Sequence, residues 1–125
     1  MLPKENRLKK KRNFDITYTD GRFFAGKYIH IKVWKIDEHR YPKRDFKNTD
    51  LKIGIVVGKK VHKSAVKRNR IKRQIREVFR LLLKEVGIKK GYTIICIAKA
   101  LPDEFDYAIL EKDVKNVLKK ARVMV

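Results

Sequence analysis

Two apolar, β-branched stretches, "LKIGIVVG" at 51–58 and "GYTIICIAK" at 91–99, are separated by one long stretch of helical period, 65–86. No other feature limits the fold of this chain so strongly. Strands buried on both faces read as near-continuous apolar runs. A helix between two such runs is a crossover, which leaves them parallel neighbours in one sheet. Upstream, "KYIHIKVWKI", 27–36, alternates: Ile29, Ile31 and Val33 point one way, and Tyr28, His30, Lys32 and Trp34 the other. That period of two marks a strand with one aliphatic face, in an antiparallel hairpin before the crossover. Residues 13–20, "NFDITYTD", form a short helix with the rings of Phe14 and Tyr18 at i, i+4, Asn13 at its start and Gly21 just beyond its end. The segment 37–50, "DEHRYPKRDFKNTD", is a surface connection. A closing helix behind Pro102 carries Leu110, Val114, Val117, Leu118 and Ala121 on one stripe. The order α, β (one or two strands), β, α, β, α predicts an α+β two-layer sandwich: a mixed sheet of about four strands against three helices.

The long helix divides by angle. With Ile71 at zero and about 100° per residue, Ile75, Val78, Phe79, Leu82 and Val86 fall within roughly −20° to +80°. Asn69, Lys72, Arg73, Arg76, Arg80 and Lys84 fall within roughly 100° to 220°. One arc is core and the other a cationic ridge; Arg68 alone among the helix's early cations projects onto the apolar arc. Ordinary solvated helix faces mix signs, because Glu–Lys pairs at i, i+4 help and like pairs hurt. Here no acid occurs between Asp50 and Glu77. Arginine forks donate two parallel hydrogen bonds to a phosphate, so Arg68, Arg70, Arg73 and Arg76 suit a structured RNA. Asn69 adds a donor and an acceptor for a base edge or sugar hydroxyl. Lys59, Lys60 and Lys63 precede the helix N-terminus, an end that already favours anions.

Charge over the whole chain agrees. Lys and Arg outnumber Asp and Glu by 34 to 14, a net charge of +20 on 125 residues. Such an excess points to a polyanionic partner. With 43% hydrophobic residues, a core is affordable and residues 1–125 read as one domain. The basic start "MLPKENRLKKKR", 1–12, is expected to be a flexible leader without the apolar stretch of a secretory signal. No apolar run approaches a membrane span, and the basic helix has no second apolar face for lipid. A soluble, reducing, cytoplasmic setting is expected.

Residues that look chemical have simpler readings. His30, His39 and His62 are scattered, without a carboxylate or serine at telling spacing. Cys96 sits inside an apolar strand as a small core residue. Asp103, Glu104 and Asp106 favour a helix start. "GKK" at 58–60 lacks the remainder of a P-loop. No catalytic and no metal-binding residue is expected in the protein.

With "AVKRNRIKRQIREVFR" in view, the chain resembles the protein subunit of bacterial ribonuclease P, a family marked by a basic Arg-Asn-Arg helix. "RLKKKRNFDITYTDGR", "KIGIVVGKKV" and "GYTIICIAK" extend the likeness over nearly the whole chain; the 37–50 connection follows no family pattern. The resemblance implies a fold like the second domain of ribosomal protein S5, with a left-handed β-α-β crossover where the right-handed form is the general rule. It also implies a function. A catalytic RNA removes the 5′ leader of precursor tRNA with magnesium ions, and the protein binds that RNA and holds the leader. Arg68, Asn69, Arg70, Lys72, Arg73 and Arg76 match the positions facing the RNA subunit, and Lys59, Lys60, Lys63 and Arg80 extend that surface. Phe14 and Tyr18 match the aromatic helix positions of a leader cleft. Tyr28, His30, Lys32 and Trp34 offer a strand face suited to stacking unpaired bases, unless the rings merely pin the short helix and plug a gap. The partners implied are ribonuclease P RNA and precursor tRNA, with no membrane and no obligate protein partner. The rival readings are a ribosomal or other structural RNA binder without a leader site, and a stand-alone endonuclease.

Overall fold

The structure, a computed structural model, describes residues 2–41, 46–99 and 106–125. Helix α1 (Lys11–Asp20) precedes strands β1 (Arg22–Ala25), β2 (Ile29–Lys35) and β3 (Leu51–Val56); helix α2 (Ala65–Glu85), strand β4 (Tyr92–Ala98) and helix α3 (Tyr107–Lys120) follow. The sheet order is β1-β2-β4-β3, with β1/β2 and β2/β4 antiparallel and β3/β4 parallel. The α+β class, the mixed four-stranded sheet and the three helices are those the sequence predicts. The α2 crossover makes β3 and β4 parallel neighbours.

Both faces of the sheet are covered. Ile29, Ile31 and Val33 of β2 and Ile94, Cys96 and Ala98 of β4 pack under α2 and α3. Alternation sends Trp34 and Ile95 to the other face, where Leu8, Ile16 and Phe46 meet them. Helices α2 and α3 therefore form the helical layer, and α1 adds a partial third layer behind the sheet. Strand β4 dictates this, because it is apolar on both sides.

Helix α1 buries Ile16 and Thr17 rather than the Phe14–Tyr18 face. Thr17 is tolerated inside because its hydroxyl lies 2.7 Å from that of Thr93 and 3.1 Å from the Asn13 carbonyl. Phe14 approaches the sheet where β3 has no side chain: a Cβ on Gly54 would stand 2.6 Å from its ring.

The basic N-terminal segment, expected to be flexible, is docked from residue 2 onward. Leu2 is 1% exposed within the α2/α3 core. Asn6 Nδ2 donates to the Leu51 carbonyl at 2.9 Å, and the Leu8 amide to the Ile53 carbonyl at 2.9 Å. The physical reason is the outer edge of β3, whose unpaired backbone groups need partners. Leu2 and Leu8 supply the apolar anchors.

The expected stripe of α3 is buried, with Ala121 partly so, and it contains one acid the pattern did not foresee. Asp113 is 6% exposed, and its carboxylate accepts backbone N–H groups of Lys27, Tyr28 and Ile29 at 2.9, 2.8 and 2.8 Å. Gly26 makes room, since a Cβ there would lie 2.8 Å from that carboxylate. The β1–β2 turn is thereby fixed to α3. Asp113→Asn turns an amide N–H toward backbone donors, so a loss of ~2–3 kcal/mol is expected in urea unfolding. A change below ~0.5 kcal/mol would deny the contact its role.

Candidate nucleic-acid interface

Ser64 starts α2 by accepting the Lys67 amide on its hydroxyl at 3.4 Å. Ile71, Ile75, Val78, Phe79 and Leu82 are buried as the angular reading requires, whereas Val86 is 43% exposed past the helix end. The opposite arc is open: Asn69 and Arg73 are exposed and Lys72 and Arg76 half-buried, and Arg70, beside that arc, is exposed too. Among the described residues, no carboxylate lies within ion-pair distance of Arg70, Lys72, Arg73 or Arg76. Their charge is left for solvent or a ligand.

Two arginines of the candidate set differ. Arg68, the one cation projecting toward the core, reaches back with Nη1 to the carbonyls of His62 and Lys63 at 2.9 and 2.8 Å. It shapes the loop as much as it presents charge. His62 Nδ1 also accepts the Ser64 amide at 3.0 Å, so the segment carrying exposed Lys59, Lys60 and Lys63 is held against the start of α2. Arg80 faces Glu77 at i, i+3 and donates Nε to both carboxylate oxygens at 3.0 Å. The ridge's uncompensated charge ends before Arg80, because Glu77 supplies the first acid.

A second surface lies on the other face of the sheet, beside α1. Register places Phe23, Lys32, Ile95 and Gly54 in one row across it, and Ala25, His30, Ile97 and Val56 in the next. Helix α1 covers the far side of these rows, leaving Val56, Ile97, His30 and Lys32 half-exposed. Tyr18 is 36% and Phe23 53% exposed. Phe23 lies 4.9 Å from His30, centroid to centroid. Lys32 Nζ donates to the Tyr18 carbonyl at 3.2 Å, and Lys27 Nζ stands 5.3 Å from the Tyr28 ring. The result is a cleft with an apolar floor, aromatic rims and ammonium groups. Burial, then the ammoniums of Lys99 and Lys32, push the His30 imidazolium down from its ordinary value, and Nδ1 has no hydrogen-bond partner. Both effects favour the neutral ring over the imidazolium.

Trp34 does not join this surface. It is 5% exposed, edge-on to Tyr41 at 5.8 Å and to Phe46 at 5.3 Å. Alternation gave its face correctly, but Tyr41 and Phe46 of the connection after β2 cover that end of the sheet. Conversely, Phe23 was missed; the signal was "RFFA", whose pairing with β2 puts Phe23 opposite Lys32.

Cys96 is fully buried, and burial pushes its thiol up. Asp106 caps α3 by accepting the Ile109 amide at 3.0 Å; Asp103 and Glu104 lie outside the described residues. Among the described residues, no three His, Cys, Asp or Glu side chains converge as a metal site, and no helix is long and apolar enough to cross a membrane.

Residues 2–122 match the family model described as Ribonuclease P. A ribonuclease P protein component of Pseudanabaena sp. is 39% identical over 124 residues, covering 99% of this chain and 97% of the relative. One from Clostridioides difficile is 36% identical over 118 residues, covering 94% and 93%. Among solved structures, the RNase P protein of Staphylococcus aureus superposes with a TM-score of 0.74 at 28% identity, covering 96% of this chain and 98% of the other. That of Thermotoga maritima gives 0.71 at 25% identity, covering 91% and 96%.

An uncompensated ridge should bind simple anions. Sulfate at about ten times its dissociation constant should add ~1.4 kcal/mol to stability, read as a rise in melting temperature. The double variant Arg73→Ala/Arg76→Ala should lose most of that increment, and Arg80→Ala little of it. An increment indifferent to Arg73 and Arg76 would place the anion elsewhere.

Proposed function

This chain belongs to the ribonuclease P protein family, and we propose that it is the protein subunit of a ribonuclease P holoenzyme that matures the 5′ end of precursor tRNA. On this reading the α2 ridge binds the catalytic RNA through Arg70, Lys72, Arg73, Arg76 and Asn69, with Lys59, Lys60, Lys63 and Arg68 at the helix start. The cleft of Phe14, Tyr18, Phe23, Tyr28, His30 and Lys32 holds the single-stranded leader. Magnesium and the hydrolytic chemistry belong to the RNA; the protein's side chains bind and orient. The observation that carries the reading is the pair of surfaces on opposite sides of one sheet. A cationic ridge without carboxylates suits folded RNA. An aromatic cleft suits unpaired bases and tolerates varied sequence, since every base has a stackable face. Their separation lets one subunit engage both RNAs at once.

Stacking contributes ~1–3 kcal/mol per base. Phe14→Ala, Tyr18→Ala or Phe23→Ala in the reconstituted holoenzyme should therefore weaken precursor tRNA by about tenfold or more while mature tRNA binds as before. Equal losses for both would favour a structural RNA binder without a leader site.

His30 adds a pH signature. In the free protein its proton is held less tightly than in the unfolded chain, so its linkage favours the folded state above pH ~6.5 and is lost as pH falls through the lowered value. A phosphate nearby reverses that balance by favouring the imidazolium. Precursor affinity should accordingly rise between pH 7.5 and 6, relative to mature tRNA, and His30→Gln should flatten the rise. A profile unchanged by His30→Gln would remove the residue from the leader site.

A further inference from the structure

Helix α1 ends on a carboxylate, Asp20. A negative charge there opposes the helix dipole, which favours cations at that end. The structure explains the choice from outside the helix. The Asp20 side chain is 14% exposed, accepts the Tyr41 hydroxyl at 2.6 Å and forms an ion pair with Arg40 Nε at 3.2 Å. Both partners come from the connection after β2.

That connection is itself anchored. The Ile36 amide donates to the Gly91 carbonyl at 2.9 Å. Asp37 Oδ1 accepts the amides of His39 and Arg40 at 3.0 and 3.4 Å, and Glu38 accepts the Asn48 amide at 3.0 Å. Tyr41 and buried Phe46 meet the Trp34 ring edge-on. The connection's described residues, 36–41 and 46–50, make a strap fixed to the sheet, with one hand on the last residue of α1.

Helix α1 needs such a hold. At ten residues it is too short to persist alone, and only Ile16 and Thr17 are buried on it. Its orientation sets how far the Phe14 and Tyr18 rings stand from the His30–Phe23 floor. We propose that Tyr41 and Asp20, assisted by Arg40, are positioning residues for the leader cleft: they hold α1 at the angle that keeps the cleft open to a single strand of RNA. Neither belongs to the cleft's floor or rims. The inference rests on the leader reading of that cleft.

The test uses the full chain reconstituted with a bacterial ribonuclease P RNA, carrying Tyr41→Phe, Asp20→Asn or both. Dissociation constants are measured for precursor tRNA, mature tRNA and the RNA subunit. Each single variant should weaken precursor tRNA about tenfold, as losing a hydrogen bond to a charged group does. The double variant should add nothing further, since both changes break one couple. Mature tRNA and RNA-subunit affinity, including its salt slope, should be unchanged. Trp34, the sole tryptophan, reports by its fluorescence whether the strap loosens in the folded protein.

Equal losses for both tRNAs, together with a lowered melting temperature, would make the couple merely structural and overturn the inference. So would undiminished precursor binding in both single variants. Phe14→Ala separates the two levels. If it discriminates precursor from mature tRNA while Tyr41→Phe does not, the positioning role alone falls. If Phe14→Ala fails to discriminate, the leader reading falls and the inference with it.

Discussion

Strand β4 is buried on both faces, and the rest of the molecule follows from that constraint. Ile94 and Cys96 demand cover on one side and Ile95 on the other, so helices must occupy both. Helix α2 answers on one side with an apolar arc and is left with a polar back. Helix α1 answers on the other, but is too short to cover the whole face. The two surfaces read as functional are thus residues of the same burial problem: one is the outside of the long helix, the other the part of the sheet the short helix leaves bare. They face apart because the strand between them has two sides.

The few acids complete this division. Asp113 fixes the β1–β2 turn, Asp20 the strap, Asp106 the start of α3, and Asp37 a turn after β2. Glu111 pairs with Lys115 along α3 at 2.9 Å. Each is used inside the fold and away from the first three turns of α2. Glu77 is the first acid on the helix itself, and it takes Arg80; Glu85 follows only at the helix's end. A chain with so much like charge incurs repulsion when it compacts; anchoring its acids as hydrogen-bond acceptors offsets part of that cost without quenching the ridge.

What could be read from residues alone was whatever obeys a local period. The α2 arc from Ile71 to Leu82, the strand faces of β2 and β4 and the stripe of α3 all follow from spacing. The errors lie where partners are distant in sequence. Nothing local marks Thr17 as buried; its hydroxyl is met by Thr93, 76 positions away. Nor does anything local mark Asp113 as buried; the β1–β2 turn presents three amides to it. Trp34 had the right face but an unforeseen cover, because nothing periodic marks the connection holding Tyr41 and Phe46. Arg80, which matches the ridge by angle, is the local exception: Glu77, three residues before it, takes its charge. The docking of Leu2 has no local signature at all; it answers an edge that exists only once β3 has formed.

That docking bears on how the chain is made. Asn6 precedes its partner Leu51 by 45 residues, and Leu2 packs among side chains of α2 and α3 from still later in the chain. During synthesis the segment leaves the ribosome long before the strand it seals, so a nascent β3 emerges with its outer edge unguarded. Closure then comes from a stretch synthesised earlier, which has an edge to seal only once β3 has formed.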